Sequence, residues 1–139
     1  MTEAELIELL TELPDTDVLT ADEASGAPEI AWGDTFATYT GAKQPFATIV
    51  TKDYGDFDAA SKLNRPGVFR LNVAVGRERF TELLGYAPGA VPPGIDYTAF
   101  DVVLPHPVYA PQAFVCVLNP GEQARQLIEF AHARAAARG

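Results

Sequence analysis

Apolar residues near the N-terminus of this chain recur at helical spacing. They lie three and four residues apart, which places them on one face of a helix. The residues are Leu6, Ile7, Leu9, Leu10 and Leu13. Thr2 and Glu5 occupy the two positions of a capping box before this run. The pattern therefore predicts a helix over 3–13.

Shorter apolar runs follow, and their length and β-forming residues predict the strands of a sheet. The runs cover residues 18–19, 29–32, 35–40, 44–51, 68–75, 102–104 and 113–118. Gly33 and Asp34 separate two of the runs and predict a tight hairpin between 29–32 and 35–40. Residues 52–66 are polar and contain glycine and proline, which indicates a loop.

The run 68–75 alternates strictly, so its side chains are divided between two faces of a sheet. The core face is predicted to carry Phe69, Leu71, Val73 and Val75. The other face carries Val68, Arg70, Asn72 and Ala74. This second face is polar without being an ordinary charged exterior, which favours contact with a ligand or partner.

Two further helices are predicted in the second half of the chain. Residues 77–84 form a short amphipathic helix that ends at Gly85. In the closing segment, Asn119 is suited to cap a helix, Pro120 to its first position and Glu122 to a capping box. This helix is predicted to reach nearly to Gly139.

The order of elements predicts an α+β fold with one domain over 1–139. Strands joined by short turns are antiparallel, and the helices are segregated from the strands rather than alternating with them. We expect an antiparallel sheet with an N-terminal helix, a short middle helix and a long C-terminal helix packed on one face.

Charge narrows the class of partner. The chain has 139 residues and a net charge of −9, and residues 1–60 hold thirteen acids and only two bases. The electrostatic field of this negative charge repels phosphate and disfavours nucleic-acid binding. One basic neighbourhood remains, which we interpret as solvated partners of the acidic half. It comprises Lys62, Arg65, Arg70, Arg77 and Arg79.

Cysteine content and hydropathy bear on location. The single cysteine, Cys116, stands within an apolar strand and is interpreted as a buried, inert thiol. No apolar run approaches the ~20 residues of a membrane helix, so no membrane association is expected. The N-terminus is acidic where a signal peptide would be basic. These features predict a cytoplasmic protein.

His106 is the main candidate for chemistry. Pro105 and Pro107 restrict the backbone on both sides of it, so the direction of its ring is fixed in advance. Such an imidazole could act as a general base or bind an anion near neutral pH. A structural histidine that hydrogen-bonds the loop is the favoured interpretation.

The remaining polar candidates have simpler interpretations. Lys52 follows a strand end, where loops often carry function. Asp53, Asp56 and Asp58 lack the spacing of a calcium loop and are interpreted as solvated acids. Trp32 is interpreted as packing on the core beside the predicted hairpin. No metal or cofactor is expected.

Several segments resemble the MmcQ/YjbR-like group, and more closely an allied domain family of unknown function. The similarity lies in 68–73, in the Leu84-Gly85 pair, in the block from Pro107 to the closing helix, and in Ala131-His132. The segments 27–34 and 44–52 resemble the uncharacterised branch. The resemblance implies the α+β fold and suggests DNA binding. The chain departs from the group in its charge and in lacking a tryptophan after His106.

These observations favour a noncatalytic domain that binds a small molecule or a protein. The predicted ligand-binding residues are Lys52, Arg70, Asn72 and His106. One alternative is an enzyme that uses His106 as an acid or base. A second is DNA binding through residues 62–79, by analogy with the wider group.

Overall fold

A computed structural model describes residues 1–138, and Gly139 lies outside the described part. The helices are α1 (Glu3–Glu12), α2 (Gly76–Leu84) and α3 (Gln123–Arg138). The strands are β1 (Thr16–Thr20), β2 (Thr35–Tyr39), β3 (Ala47–Val50), β4 (Arg70–Ala74), β5 (Leu104–Pro105) and β6 (Phe114–Leu118). Two short 3-10 turns cover Glu29–Ala31 and Ala110–Gln112.

All six strands of the described chain join one antiparallel sheet in the order β1-β2-β3-β4-β6-β5. The three helices pack their apolar side chains into one core on a single face of this sheet. The predicted α+β class, with helices on one face, is confirmed.

The two faces of β4 have different surroundings. Leu71 and Val73 are fully buried in the core beneath the helices. Arg70 and Asn72 point to the opposite face, opposite Val50 and Thr48 of β3. The alternation read from the sequence is therefore confirmed, and the helix-free face is the one that carries polar side chains.

Helix α1 forms as its sequence predicts, with a complete capping box. The Thr2 hydroxyl accepts from the Glu5 backbone N–H at 3.1 Å, and the Glu5 carboxylate accepts from the Thr2 N–H at 2.8 Å. Leu6 and Leu10 are fully buried in the core. Helix α2 ends at Gly85, whose φ of 82° satisfies the predicted left-handed cap.

The predicted hairpin at Gly33 and Asp34 is wrong. Residues Glu29–Ala31 form a 3-10 turn held by local backbone bonds, and β2 pairs instead with β1 and β3. The interpretation of Trp32 as a core residue is wrong too. Its indole N–H donates to the Ala27 carbonyl at 2.9 Å, and the side chain is exposed.

The predicted cap of the last helix is also wrong, since α3 begins at Gln123. Asn119 accepts from the Phe69 N–H at 3.0 Å and donates to the Gly67 carbonyl at 3.0 Å, so its side chain joins two strand ends. Asp101 accepts from the Gly121 N–H at 2.7 Å, two residues before α3, and from the Gln123 side-chain amide at 2.9 Å. Contacts distant in sequence displace the local motif.

Other boundaries follow packing. The apolar stripe of α3 is buried as predicted at Ala124, Leu127, Ile128 and Ala131. The run at 102–104 gives only the two-residue strand β5, and Val102 is exposed. Among the helices of residues 1–138, none has the length and apolar character needed to cross a membrane.

Candidate functional site

A cavity of about 580 Å³ opens over the helix-free face of the sheet. Its base is formed by side chains of β2, β3, β4 and β6, and its walls come from the loop after β3 and the segment before β6. The lining consists of Phe36, Gln44, Pro45, Thr48, Val50, Tyr54, Phe57, Asp58, Asn72, His106, Tyr109, Gln112 and Phe114. Most of these side chains are apolar or aromatic.

A buried ion pair lies at the floor of this cavity. Arg70 Nη1 donates to Asp58 Oδ1 at 3.0 Å, and Nη2 donates to Asp58 Oδ2 at 2.5 Å, which is the bidentate geometry of a strong charge-assisted pair. Arg70 has no exposed surface, and Asp58 is 8% exposed. Such charges are tolerated in an interior only when they are paired and hydrogen-bonded.

The guanidinium is held by further side chains. Its Nη1 also donates to the Ser61 hydroxyl at 3.0 Å, and its Nε donates to Asn72 Oδ1 at 2.8 Å. Asn72 in turn donates from Nδ2 to the Thr48 hydroxyl oxygen at 3.0 Å. A continuous network therefore links the loop after β3 to β4 and β3.

His106 completes the floor of the cavity. Its Nδ1 accepts from the backbone N–H groups of Val108 and Tyr109 at 3.0 and 2.9 Å, and its Nε2 lies 3.2 Å from Arg70 Nη2. N–H donors thus face both ring nitrogens. A protonated ring, which donates from both nitrogens, would find no acceptor in these contacts. Burial, together with the Arg70 charge, lowers the pKa of His106 to about 3.

A second buried carboxylate lies beside the cavity wall. Asp34 accepts from the Thr51 N–H at 2.8 Å and from the Thr51 hydroxyl at 2.9 Å, and also from the Tyr54 hydroxyl. Burial and the hydrogen bond to Asp34 raise the pKa of Tyr54 above its usual range. Lys52 Nζ lies 3.5 Å from the same carboxylate and donates to the Trp32 carbonyl.

Aromatic side chains lead from the floor to the mouth of the cavity. The rings of His106 and Tyr109 have centroids 4.9 Å apart, and Tyr109 lies 6.2 Å from Phe57. Phe57 is 65% exposed and Tyr109 43% exposed. The mouth therefore presents two aromatic rings to solvent.

The structure brings together three of the four residues predicted to bind a ligand. Arg70 contacts both Asn72 and His106 directly, and the latter two line the cavity. Lys52 lies apart, in the Asp34 cluster, and does not line the cavity; Tyr54, which does, shares that carboxylate.

Two interpretations of charge are wrong. Arg70 is not a solvated cation and Asp58 is not a solvated acid, because they neutralise each other in the interior. The sequence also contained no signal for Ser61 and Thr48, whose roles depend on partners nine and more residues away. Proximity of Tyr54 to Asp34 likewise arises from the loop's path.

Cys116 is buried as predicted. Its side chain has no exposed surface, and burial raises the pKa of the thiol to about 12. The Sγ atom lies 3.7 Å from the Pro105 carbonyl. A thiol held in this state is a packing group rather than a nucleophile.

Comparison with known proteins places the chain in one family. A family model described as a family of unknown function, DUF6194, matches residues 1–139, and the chain belongs to that family. No curated protein and no solved structure matches it. The resemblance to the MmcQ/YjbR-like group is not tested by these comparisons and stays a prediction.

Proposed function

We propose that this protein is a noncatalytic module that binds a small molecule with a largely apolar body in the cavity over β2, β3, β4 and β6. The observation that carries the proposal is the Asp58–Arg70 pair, buried with His106 beneath an aromatic-lined cavity of about 580 Å³. Mostly apolar walls with a few fixed polar groups are characteristic of small-molecule sites.

The polar floor has little value as a stabilising device. Desolvation of a buried ion pair consumes most of its Coulombic attraction, and apolar replacements are often equally stable. Fixed hydrogen-bonding groups at the base of a cavity do, however, orient a ligand. The rigid network from Asp58 through Arg70 to Asn72 therefore supports a binding role.

The chemistry of His106 favours binding over acid–base catalysis. With a pKa of about 3, the neutral ring is a weak base near pH 7, where an effective general base has a pKa close to the ambient pH. Its Nδ1 is also already engaged by two backbone donors.

DNA binding receives no support from the basic neighbourhood. Arg70 is sequestered by Asp58, and Arg65 donates to the carbonyls of Lys62 and Ser61. The net charge of −9 opposes approach to phosphate.

Binding of small aromatic probes, measured by ¹H–¹⁵N NMR titration, tests the proposal when combined with a variant whose cavity is filled. Thr48→Phe places a ring in the cavity, since Thr48 lines it. Thr38→Phe is the matched control, because Thr38 is a half-buried threonine of β2 that does not line the cavity.

We expect the wild type and Thr38→Phe to bind the same probes, and Thr48→Phe to lose affinity by at least about tenfold, the equivalent of 1.4 kcal/mol. Circular dichroism and thermal unfolding establish that both variants are folded. Equal binding by folded Thr48→Phe, or binding by neither the wild type nor the control, contradicts the proposal.

A further inference from the structure

We infer that the ligand of this cavity presents an uncharged hydrogen-bond acceptor, such as a ketone or ester oxygen, to the Nε2–H of His106. This inference rests on the proposed function. It follows from the number of donors and acceptors at the floor.

Donors outnumber acceptors around the His106 ring. Three N–H groups lie at hydrogen-bond distance from its two nitrogens, namely those of Val108, Tyr109 and Arg70 Nη2. A neutral imidazole has one accepting nitrogen, because the other carries a proton. Only one of the two nitrogens can therefore accept a hydrogen bond from the donors that face them.

The other N–H groups of Arg70 do not relieve this excess. Nε donates to Asn72, Nη1 donates to Asp58 and Ser61, and Nη2 donates one hydrogen to Asp58. The remaining Nη2 hydrogen is the one nearest His106 Nε2. It has an acceptor only if the ring proton is on Nδ1.

The backbone contacts place the ring proton on Nε2 instead. Nδ1 accepts from two N–H groups at 2.9 and 3.0 Å, and a proton on that nitrogen would forfeit both bonds. With Nε2 protonated, two adjacent donors, Nε2–H of His106 and Nη2–H of Arg70, have no acceptor among residues 1–138. A buried donor without a partner is costly, and an oxygen entering from the cavity would accept from the His106 donor.

The same network indicates that this oxygen is uncharged. The Arg70 charge is already matched by Asp58, and the Lys52 charge lies beside Asp34. A ligand carboxylate would add an unmatched negative charge next to Asp58, which lines the cavity. An ammonium group carries donors only and could not accept from the His106 Nε2–H. Thr48, whose oxygen accepts from Asn72, has its hydroxyl hydrogen available as a second donor.

Three probes of similar size separate these alternatives: acetophenone, which carries a neutral acceptor, ethylbenzene, which carries none, and benzoate, which carries a charged one. Dissociation constants come from ¹H–¹⁵N NMR titration of the full chain. Since the chain has two histidines, a His132→Gln variant assigns the imidazole ¹⁵N signals. Those signals report the tautomer of His106.

We expect acetophenone to bind about tenfold more tightly than either other probe, as one hydrogen bond to a buried donor allows. His106 is expected as the Nε2–H tautomer, with its Nε2 signal shifting on acetophenone binding. Equal affinity for acetophenone and ethylbenzene, preference for benzoate, or an Nδ1–H tautomer overturns the inference while leaving a binding cavity. Failure of all three probes to bind overturns the proposed function as well.

Discussion

Replacement of Arg70 by methionine should destabilise the fold strongly, because it leaves a carboxylate buried without its cation. Methionine keeps an unbranched stem of similar length, so packing changes little. Asp58, 8% exposed, loses both guanidinium contacts, at 3.0 and 2.5 Å. Removing one partner of a buried pair costs about 3–5 kcal/mol. That is a large share of the ~5–15 kcal/mol that stabilises a domain.

Urea unfolding measures this loss as a change in the free energy of unfolding. The double variant Arg70→Met/Asp58→Leu removes both charges, and we expect it to be more stable than Arg70→Met alone. Arg125→Met is the control, because Arg125 and Glu122 form an exposed pair at 3.9 Å. Its loss should stay within about 0.5 kcal/mol.

Two results would contradict a strong coupling between Arg70 and Asp58. One is a loss below about 1 kcal/mol for Arg70→Met, which would mean that Asp58 is solvated or neutralised at little cost. The other is a double variant whose loss equals the summed losses of Arg70→Met and Asp58→Leu measured separately, which would mean that the two charges do not interact.

Three further predictions concern titration, reactivity and backbone strain. The pKa of His106 is about 3 in the folded chain and about 6.5 in the unfolded chain, so the unfolded chain takes up the proton first as the pH falls. Between about pH 7.5 and 5.5, the free energy of unfolding of the wild type should therefore fall by about 1.4 kcal/mol more than that of His106→Gln. Urea midpoints that change with pH in parallel for the two proteins would contradict this. Cys116 is buried and the pKa of its thiol is raised to about 12, so in the native protein it should react with an aromatic disulfide reagent at least about a hundredfold more slowly than in the urea-unfolded chain. Equal rates would contradict its burial. Gly76→Ala should lower the free energy of unfolding by about 1–3 kcal/mol, because the φ of Gly76 is +83° and the new Cβ would lie 2.5 Å from Arg134 Nε. The control Gly89→Ala places its Cβ in open space and should change stability by under about 0.5 kcal/mol. Similar losses for the two variants would contradict backbone strain at Gly76.

Elements defined by local periodicity could be predicted from the sequence. The capping box at Thr2 and Glu5 and the alternation of β4 each depend on residues a few positions apart, and both form as expected. The predicted cap of the closing helix does not form, because the Asn119 side chain accepts from the Phe69 N–H, fifty residues away, instead of from the first turn of α3. A local sequence motif does not form when its side chain makes its hydrogen bonds with a residue distant in sequence.

Only part of the candidate site could be predicted from the sequence, because some of its residues are brought together by contacts distant in sequence. Period-two alternation placed Arg70 and Asn72 together on one face, and two prolines marked His106. Asp58 had no such signal, since an aspartate in a polar loop is usually solvated. Its burial follows from the path of that loop over the sheet, which the local sequence does not encode.

Intermolecular NOEs between acetophenone and the protein would show where a small molecule binds, because they identify the side chains that it touches. We expect NOEs to the cavity residues Phe36, Val50 and Phe114, and none to the exposed face of α3. NOEs confined to α3 or to β1, or spread evenly over the surface, would contradict a binding site on the helix-free face of the sheet.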